Sequence, residues 1–240
     1  MSSTEPLRGS AIRNTDCFSP ECLSKLKDIM YETKAPAGSH LFWEGDLADK
    51  LYFIYSGRVN ITKSSDEGRH FILYMYQEGD MLGQVDPFRR SEHAFNAEVV
   101  EDSAIGVLQQ KDLEILLWQH GELAVEFMKW MGLIHRMTQT KFRDLMMFGK
   151  HGALCSLLIR LTNSCGREQP DGAILIDKKL TNTELADMIG ATRESVNRML
   201  GEFKKAGAVS FENGLVTVTN INYLKDICHC ENCPKDICRM

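Results

Sequence analysis

From residue 36 to residue 108 the apolar positions come in short runs cut by turn residues. They are Leu51–Tyr55 before Ser56-Gly57, Arg58–Thr62 before Ser64 to Gly68, His70–Tyr76 before Glu78-Gly79, and Ala97–Val100. Apolar, β-branched and aromatic runs bounded by Gly, Ser and Asp at intervals of about 8 to 12 residues predict an antiparallel barrel or sandwich. The period then lengthens. Lys111 to Gln119 is a short amphipathic piece, and Glu122 to Phe148 predicts one helix of about 40 Å at roughly 1.5 Å per residue. That helix is apolar on more than one face and must be buried on more than one face. Phe127, Met131, Ile134, Thr138, Lys141, Leu145 and Phe148 step by four and three, as a coiled-coil seam does, with Thr138 and Lys141 interrupting it.

Gly149 to Gly152 predicts a hinge, and Ala153 to Asn163 a helix with Leu154, Leu157, Leu158 and Leu161 on one face. Between Leu180 and Leu200, Thr181 and Glu184 form a capping-box pattern, Leu185, Ala186 and Ile189 supply an apolar face, and Gly190 allows a tight turn. Thr192 then caps a second helix whose Val196, Met199 and Leu200 face inward. This is a helix-turn-helix, and it presents Arg193, Glu194, Asn197 and Arg198 outward at the start of its second helix. Arg pairs bidentately with guanine and Glu accepts from cytosine N4, so double-stranded DNA is the expected partner. Val209–Phe211, Asn213-Gly214 and Leu215–Val218 predict a hairpin with a two-residue turn, the wing of a winged helix.

Composition sets the scale: 240 residues suggest two domains or one large one, and a hydrophobic share of 43% is enough for ordinary packed cores. No run of 18 apolar residues occurs, and the opening MSSTEPLRGS lacks the basic and apolar regions of a signal peptide, so a soluble cytoplasmic protein without membrane association is expected. In a reducing compartment the eight cysteines point to ligands and buried thiols, not to a disulfide frame. The net charge of −5 does not announce nucleic acid, yet Lys178 to Gly207 holds six Lys or Arg against four Asp or Glu. Residues 1–22 read as a loosely ordered leader, with Cys17 and Cys22 as ordinary thiols around a short helix that begins after Ser19. Cys155 reads as core and Cys165 as a surface thiol on a polar loop.

The chemistry concentrates in residues 228–240, a tail too polar and too short to bury itself. It holds Cys228, Cys230, Cys233 and Cys238, and the spacing of the last three suggests a metal or an iron–sulfur cluster. Soft sulfur donors favour iron–sulfur clusters, zinc or copper(I) over hard cations. Four thiolates, or three with His229, also satisfy a tetrahedral zinc ion. As a redox dithiol, Cys230 and Cys233 would make an enzyme, but no thioredoxin-like βαβ pattern surrounds them, and no enzyme is expected.

Phe42-Trp43-Glu44-Gly45-Asp46, Leu51–Val59 with its Gly57, and Glu78-Gly79-Asp80-Met81-Leu82-Gly83 together resemble the β-roll of the cyclic-AMP receptor and Fnr superfamily of transcription regulators. The resemblance covers essentially the whole chain. It implies an α+β fold: an N-terminal antiparallel β-roll (double-stranded β-helix), a long dimerisation helix and a C-terminal winged helix-turn-helix domain. The boundaries expected are a leader over 1–22, the roll over 23–121, the dimerisation helix over 122–148, the DNA-binding domain over 149–226 and a cysteine-rich cluster-binding tail over 227–240. Cyclic-nucleotide-binding members carry a ribose-binding Glu and a phosphate-binding Arg-Ser where this chain, aligned through Gly83 and Phe88, has Gln84, Ala94 and Phe95. A buried phosphate would lack its cationic partner, so no cyclic nucleotide is expected. Arg89 and Arg90 read as a solvated turn. For haem, a further option in the superfamily, His70, His93, His120 and His135 offer no convincing ligand pair.

The tail is similar to that of the Bacillus-type Fnr regulators, which carry an oxygen-sensing 4Fe-4S cluster on three cysteines at this spacing and an Asp from the dimerisation helix. The resemblance thus implies Cys230, Cys233, Cys238 and Asp144 as ligands, with Cys228 the competitor for the fourth place. It further implies a homodimer, contact with RNA polymerase through the loop Ser164–Gly172, and Arg193, Glu194 and Arg198 reading a palindrome with TGTGA and TCACA arms. Oxygen would destroy the cluster, free the tail and lower DNA affinity, switching genes of anaerobic metabolism.

Overall fold

A computed structural model of the protein describes residues 12–65, 68, 70–85 and 91–240. Phe88 and the Arg89-Arg90 turn lie outside the described residues. Within them the apolar runs pair as a six-stranded antiparallel sheet. Its path is β1 (Tyr31–Ala35), β6 (Asn96–Gln109), β3 (Lys50–Ser64) and β4 (His70–Gln77), with β2 (His40–Phe42) on β6 and β5 (Met81–Gly83) on β3. Ser56-Gly57 does not end a strand, as the runs suggested, but sits in a register shift inside β3. Gly57 has φ +98, and a Cβ there would meet Ser103 Oγ at 2.0 Å, so only glycine allows the bulge. Phe42, Tyr52, Ile54, Tyr74, Tyr76 and Ile105 form the core that the roll encloses.

The leader is docked, not loose, from residue 12 onward. Asn14 is fully buried, receives Met81 N–H on its side-chain oxygen at 2.9 Å and donates from Nδ2 to Met81 O at 2.7 Å. A helix, α1 (Pro20–Asp28), begins where expected, with Ser19 Oγ accepting from Cys22 N at 3.2 Å. Cys22 is core, and burial pushes the Cys17 thiol up to about 11.

After α2 (Gln110–Gln119), α3 runs over Gly121–Cys165 and is broken at Gly149, whose φ of 59 and ψ of −163 interrupt the helix at the expected hinge. Beyond the break Leu154, Leu157, Leu158 and Leu161 are buried together, as their spacing predicts. Cys165 closes this helix and is partly buried, its Sγ donating to Leu161 O at 3.3 Å, so it is not a loop thiol.

The seam read from the sequence turns largely toward the chain's own roll. Phe127 is buried, Thr138 Oγ1 meets the Tyr74 hydroxyl at 2.7 Å, and Lys141 Nζ donates to Leu73 O at 2.6 Å beneath the Tyr74 ring. Both polar residues thus have hydrogen-bond partners on the roll. The stripe left in solvent is Val125, Met128, Gly132, His135, Gln139, Phe142 and Met146, again spaced by three and four, with Phe142 and Met146 each 65% exposed.

The remainder is a winged helix. Asn182–Ile189 (α4) and Arg193–Lys205 (α5) flank Gly190, which takes φ 61. Strands β7 (Gly166–Glu168), β8 (Ile174–Ile176), β10 (Leu215–Val218) and β9 (Val209–Glu212) form a sheet in that order. Asn213 and Gly214 both have positive φ, as the wing's tight turn requires. A last helix, α6 (Ile221–Ile227), capped by Asn220, leads into the tail.

Candidate functional site

The exposed face of the helix-turn-helix is built from the caps outward. Thr181 Oγ1 accepts from Glu184 N at 3.1 Å and Glu184 Oε2 accepts from Thr181 N at 2.7 Å, fixing the start of α4. Thr192 Oγ1 accepts from Ser195 N at 3.2 Å and starts α5. Val196, Met199, Leu200 and Phe203 bury the inner face of α5, which leaves Arg193, Glu194, Asn197 and Arg198 exposed on one side of its first two turns. Asn182 Nδ2 on α4 donates to Asn197 Oδ1 at 3.2 Å, leaving the Asn197 amino group as the outward donor.

The tail, by contrast, is docked. Cys228, Ile237, Arg239 and Met240 are buried, because their partners come from two domains at once. Ile237 and Cys233 join the core of the roll, while Cys228, Cys230, Cys238 and Met240 pack on the core of the winged helix. Lys225 O accepts from Cys230 N at 2.9 Å, Pro234 O accepts from Ile237 N and Cys238 N at 3.0 and 2.9 Å, and Asn232 N donates to Cys230 Sγ at 3.4 Å. Backbone bends at His229 and Asn232, both with positive φ, shape the loop between them.

Asp144 is buried beneath this tail, and both its oxygens are engaged. Oδ1 accepts from Arg143 Nε and an outer nitrogen at 3.0 and 2.7 Å, and Oδ2 accepts from Arg160 at 2.8 Å and from the Ser156 hydroxyl. Its two arginines reach both flanks of the cysteine loop. Arg143 pairs with Glu231, between Cys230 and Cys233, and Arg160 donates to Ile237 O at 3.2 Å, beside Cys238. An Arg inside Leu157-Leu158-Ile159-Arg160-Leu161 was the sequence signal for this buried pair, because a charge in an apolar helix run needs a partner.

Among the described residues no three His, Cys, Asp or Glu side chains converge on one metal-ion position. The three tail thiols nevertheless share one field: burial raises the Cys238 pKa, and the charges of Cys230 and Cys233 raise it further against the pull of Arg160. Burial, with the charges of Cys230 and Asp144, pushes Cys228 up to about 12. Ligation by Asp144 would exchange one of its arginine bonds for iron. His93 is a packed core ring, stacked on Phe42 with centroids 3.6 Å apart, and His135 lies on the exposed stripe of α3.

Residues 152–227 match the model of the Crp-like helix-turn-helix domain, and residues 32–120 that of the cyclic nucleotide-binding domain. The chain is 41% identical over 229 residues to the anaerobic regulatory protein of Bacillus subtilis (strain 168), covering 95% of this chain and 96% of that one. The chain belongs to the Crp/Fnr family of transcription regulators. Another relative of this Crp/Fnr protein is the CRP-like cAMP-activated global transcriptional regulator of Mycobacterium tuberculosis (strain ATCC 25618 / H37Rv), 25% identical over 84% of this chain and 89% of that one. Two solved structures share the fold. A CooA mutant from Carboxydothermus hydrogenoformans has TM-score 0.74 and 19% identity, covering 90% and 99% of the two chains. FixK2 from Bradyrhizobium japonicum has TM-score 0.68 and 18% identity, covering 83% and 97%.

Crp/Fnr regulators bind DNA as dimers through the helix-turn-helix and are not enzymes, which removes the redox-dithiol alternative for Cys230 and Cys233. No described helix of this Crp/Fnr protein is long and apolar enough to cross a membrane.

Proposed function

We propose that this Crp/Fnr regulator is an oxygen-responsive switch of anaerobic metabolism, working as a cytoplasmic homodimer with a 4Fe-4S cluster held by Cys230, Cys233, Cys238 and Asp144. One observation carries it: the three thiols straddle a domain boundary, Cys233 on the core of the roll and Cys230 and Cys238 on the core of the winged helix. Sulfurs bound to one inorganic body would hold both domains across the Gly149 hinge. The cluster supplies an oxygen-labile bridge; the selectivity and the motion belong to the protein. Arg143 and Arg160 hold both oxygens of Asp144 beside the tail and contribute positive charge around a ligand set that is anionic overall. The name of the Bacillus subtilis relative, an anaerobic regulatory protein, supports the physiological setting.

On the DNA side, Arg193, Glu194 and Arg198 read a palindrome with TGTGA and TCACA arms, and Asn197 lies beside them on the same exposed face. Such a palindrome needs the two recognition helices about 34 Å apart, one turn of DNA. The exposed stripe from Val125 to Met146 meets its copy in the dimer. The exposed strand Gly166–Glu168, in the loop Ser164–Gly172, is assigned to RNA polymerase. The roll takes no cyclic nucleotide: Gln84, Ala94 and Phe95 replace the ribose- and phosphate-binding residues, and Tyr52, Tyr74 and Tyr76 pack its interior.

Anaerobic iron and sulfide analysis tests the ligand set. Wild type is expected to be brown and to hold about four irons per chain. Asp144→Ala should lose most of that iron, while Ser156→Ala, which removes a hydrogen bond but no donor, should keep it. A colourless wild type holding zinc would overturn the proposal, and an Asp144→Ala variant with full iron would remove Asp144 from the ligand set.

A further inference from the structure

Arg239 lies one residue beyond Cys238 and is fully buried, with its guanidinium on a residue of the opposite domain. Its two outer nitrogens donate to Asp80 Oδ1 and Oδ2 at 2.8 and 2.7 Å, and Asp80 is itself fully buried at the end of the Glu78-Gly79-Asp80 turn of the roll. Asp80 is held from the roll side by Asn14 N at 2.8 Å and Gln77 N at 3.1 Å. On its other side the same stretch of tail is tied to the helix beyond the hinge. Arg160 donates to Ile237 O, Asn163 Nδ2 donates to Cys238 O at 2.7 Å, and Met240 N donates to Ser164 Oγ at 2.9 Å. Residues 237–240 are thus a strap, with one edge on the roll and the other on the DNA-binding domain.

We infer that the Asp80–Arg239 pair is a metal-free latch that positions the DNA-binding domain relative to the roll and the dimer helix. Asp80 and Arg239 are positioning residues for DNA recognition, acting through the strap on helices they do not touch. Stability alone is a poor reason for the pair, because the desolvation cost of two buried charges roughly cancels their attraction. Arg239 Nε moreover has no hydrogen-bond partner, so the pair is not fully satisfied where it lies. What a bidentate guanidinium–carboxylate contact supplies is geometric definition. Here that definition falls between two bodies joined at Gly149, the one residue of α3 whose backbone leaves the helix. Lys141, from the dimer helix, has its pKa lowered by burial and then by the charges of Arg160 and Arg239, so it lies electrostatically between the Asp144 network and the latch.

The inference deepens the proposed function by placing a second tie beside the cluster, but it stands without the cluster. Its test uses the full-length dimer with Arg239→Gln and Arg239→Lys, and with Ile105→Val as a one-methylene trim of the roll core that removes none of the strap's hydrogen bonds. Four quantities are read: iron content, melting temperature, hydrogen exchange of residues 12–16 and 148–152, and anaerobic affinity for a palindromic duplex. Arg239→Gln should keep the iron of wild type, exchange faster in both segments, and bind DNA more weakly by about 5- to 150-fold, the usual range of coupling between sites. Arg239→Lys, which restores charge without the fork, should fall between; should Arg239→Gln not fold, it carries the same comparison. Ile105→Val should lower the melting temperature and leave affinity unchanged. The latch is overturned if the Arg239 variants match wild type in affinity and hinge exchange, or if Ile105→Val weakens binding equally. Absence of iron from every protein, wild type included, would sink the cluster reading, while the affinity comparison would still decide the latch.

Discussion

Phe142→Asp should turn the dimer into a monomer and lower affinity for a palindromic duplex by at least about a hundredfold. Phe142 is 65% exposed near the C-terminal end of the stripe between Val125 and Met146, and it is not among the residues of the core that the roll encloses. Burying a phenylalanine against a partner contributes about 1.5–3 kcal/mol, and in a two-fold interface the contribution counts twice. The substitution also places a carboxylate opposite its own copy, which adds desolvation and repulsion. A loss of roughly 3–6 kcal/mol corresponds to about two to four powers of ten in the dimer constant. Sedimentation equilibrium at micromolar concentration should show a monomer with an unchanged circular dichroism spectrum, and fluorescence anisotropy should show half-site binding only. Val100→Asp, at an exposed apolar position of the roll away from the stripe, should remain dimeric. A dimeric Phe142→Asp would place the interface on another face.

Cys233→Ser should abolish both the cluster and the response to oxygen. Cys233 is the tail thiol on the roll side, so its loss removes one end of the bridge while Cys230 and Cys238 remain on the winged helix. A hydroxyl is a harder and much less acidic donor than a thiol and does not replace it on iron. Iron content should drop at least about tenfold, the lower range seen when even outer-shell partners of a metal are lost. DNA affinity should then be equally low in nitrogen and in air. Cys17→Ser, a half-buried thiol outside the site, should keep iron and response. A Cys233→Ser protein that still loses affinity in air would mean that oxygen acts elsewhere.

Much of this architecture was legible because its signals are local. The capping box at Thr181 and Glu184, the tight turn at Gly190, the Asn213-Gly214 wing turn and the Gly149 break each depend on residues within a few positions of one another, and the structure has them where the sequence placed them. Tertiary pairing was not legible. Two stripes of α3 share the same spacing of three and four, and only the roll decides that Phe127, Thr138 and Lys141 turn inward while Val125, Phe142 and Met146 face solvent. The tail looked too polar to bury because Arg239 finds Asp80 across 159 positions, a pairing no local pattern announces. The docking of residues 12–18 through Asn14 and the saturation of Asp144 by Arg143, Arg160 and Ser156 were hidden for the same reason. The cysteine spacing, in turn, grouped Cys230, Cys233 and Cys238 but did not announce the domain boundary that they straddle.

The central claim is that oxygen is read at the tail and answered at α5. One measurement tests it most directly: a single anaerobic sample of wild-type protein with a labelled palindromic duplex, followed simultaneously by visible absorbance and by anisotropy as air is admitted. The expected result is that the cluster absorbance and the bound fraction fall together, with the same half-time. DNA that stays bound while the absorbance bleaches, or iron-free protein that binds as tightly as the anaerobic form, would contradict it.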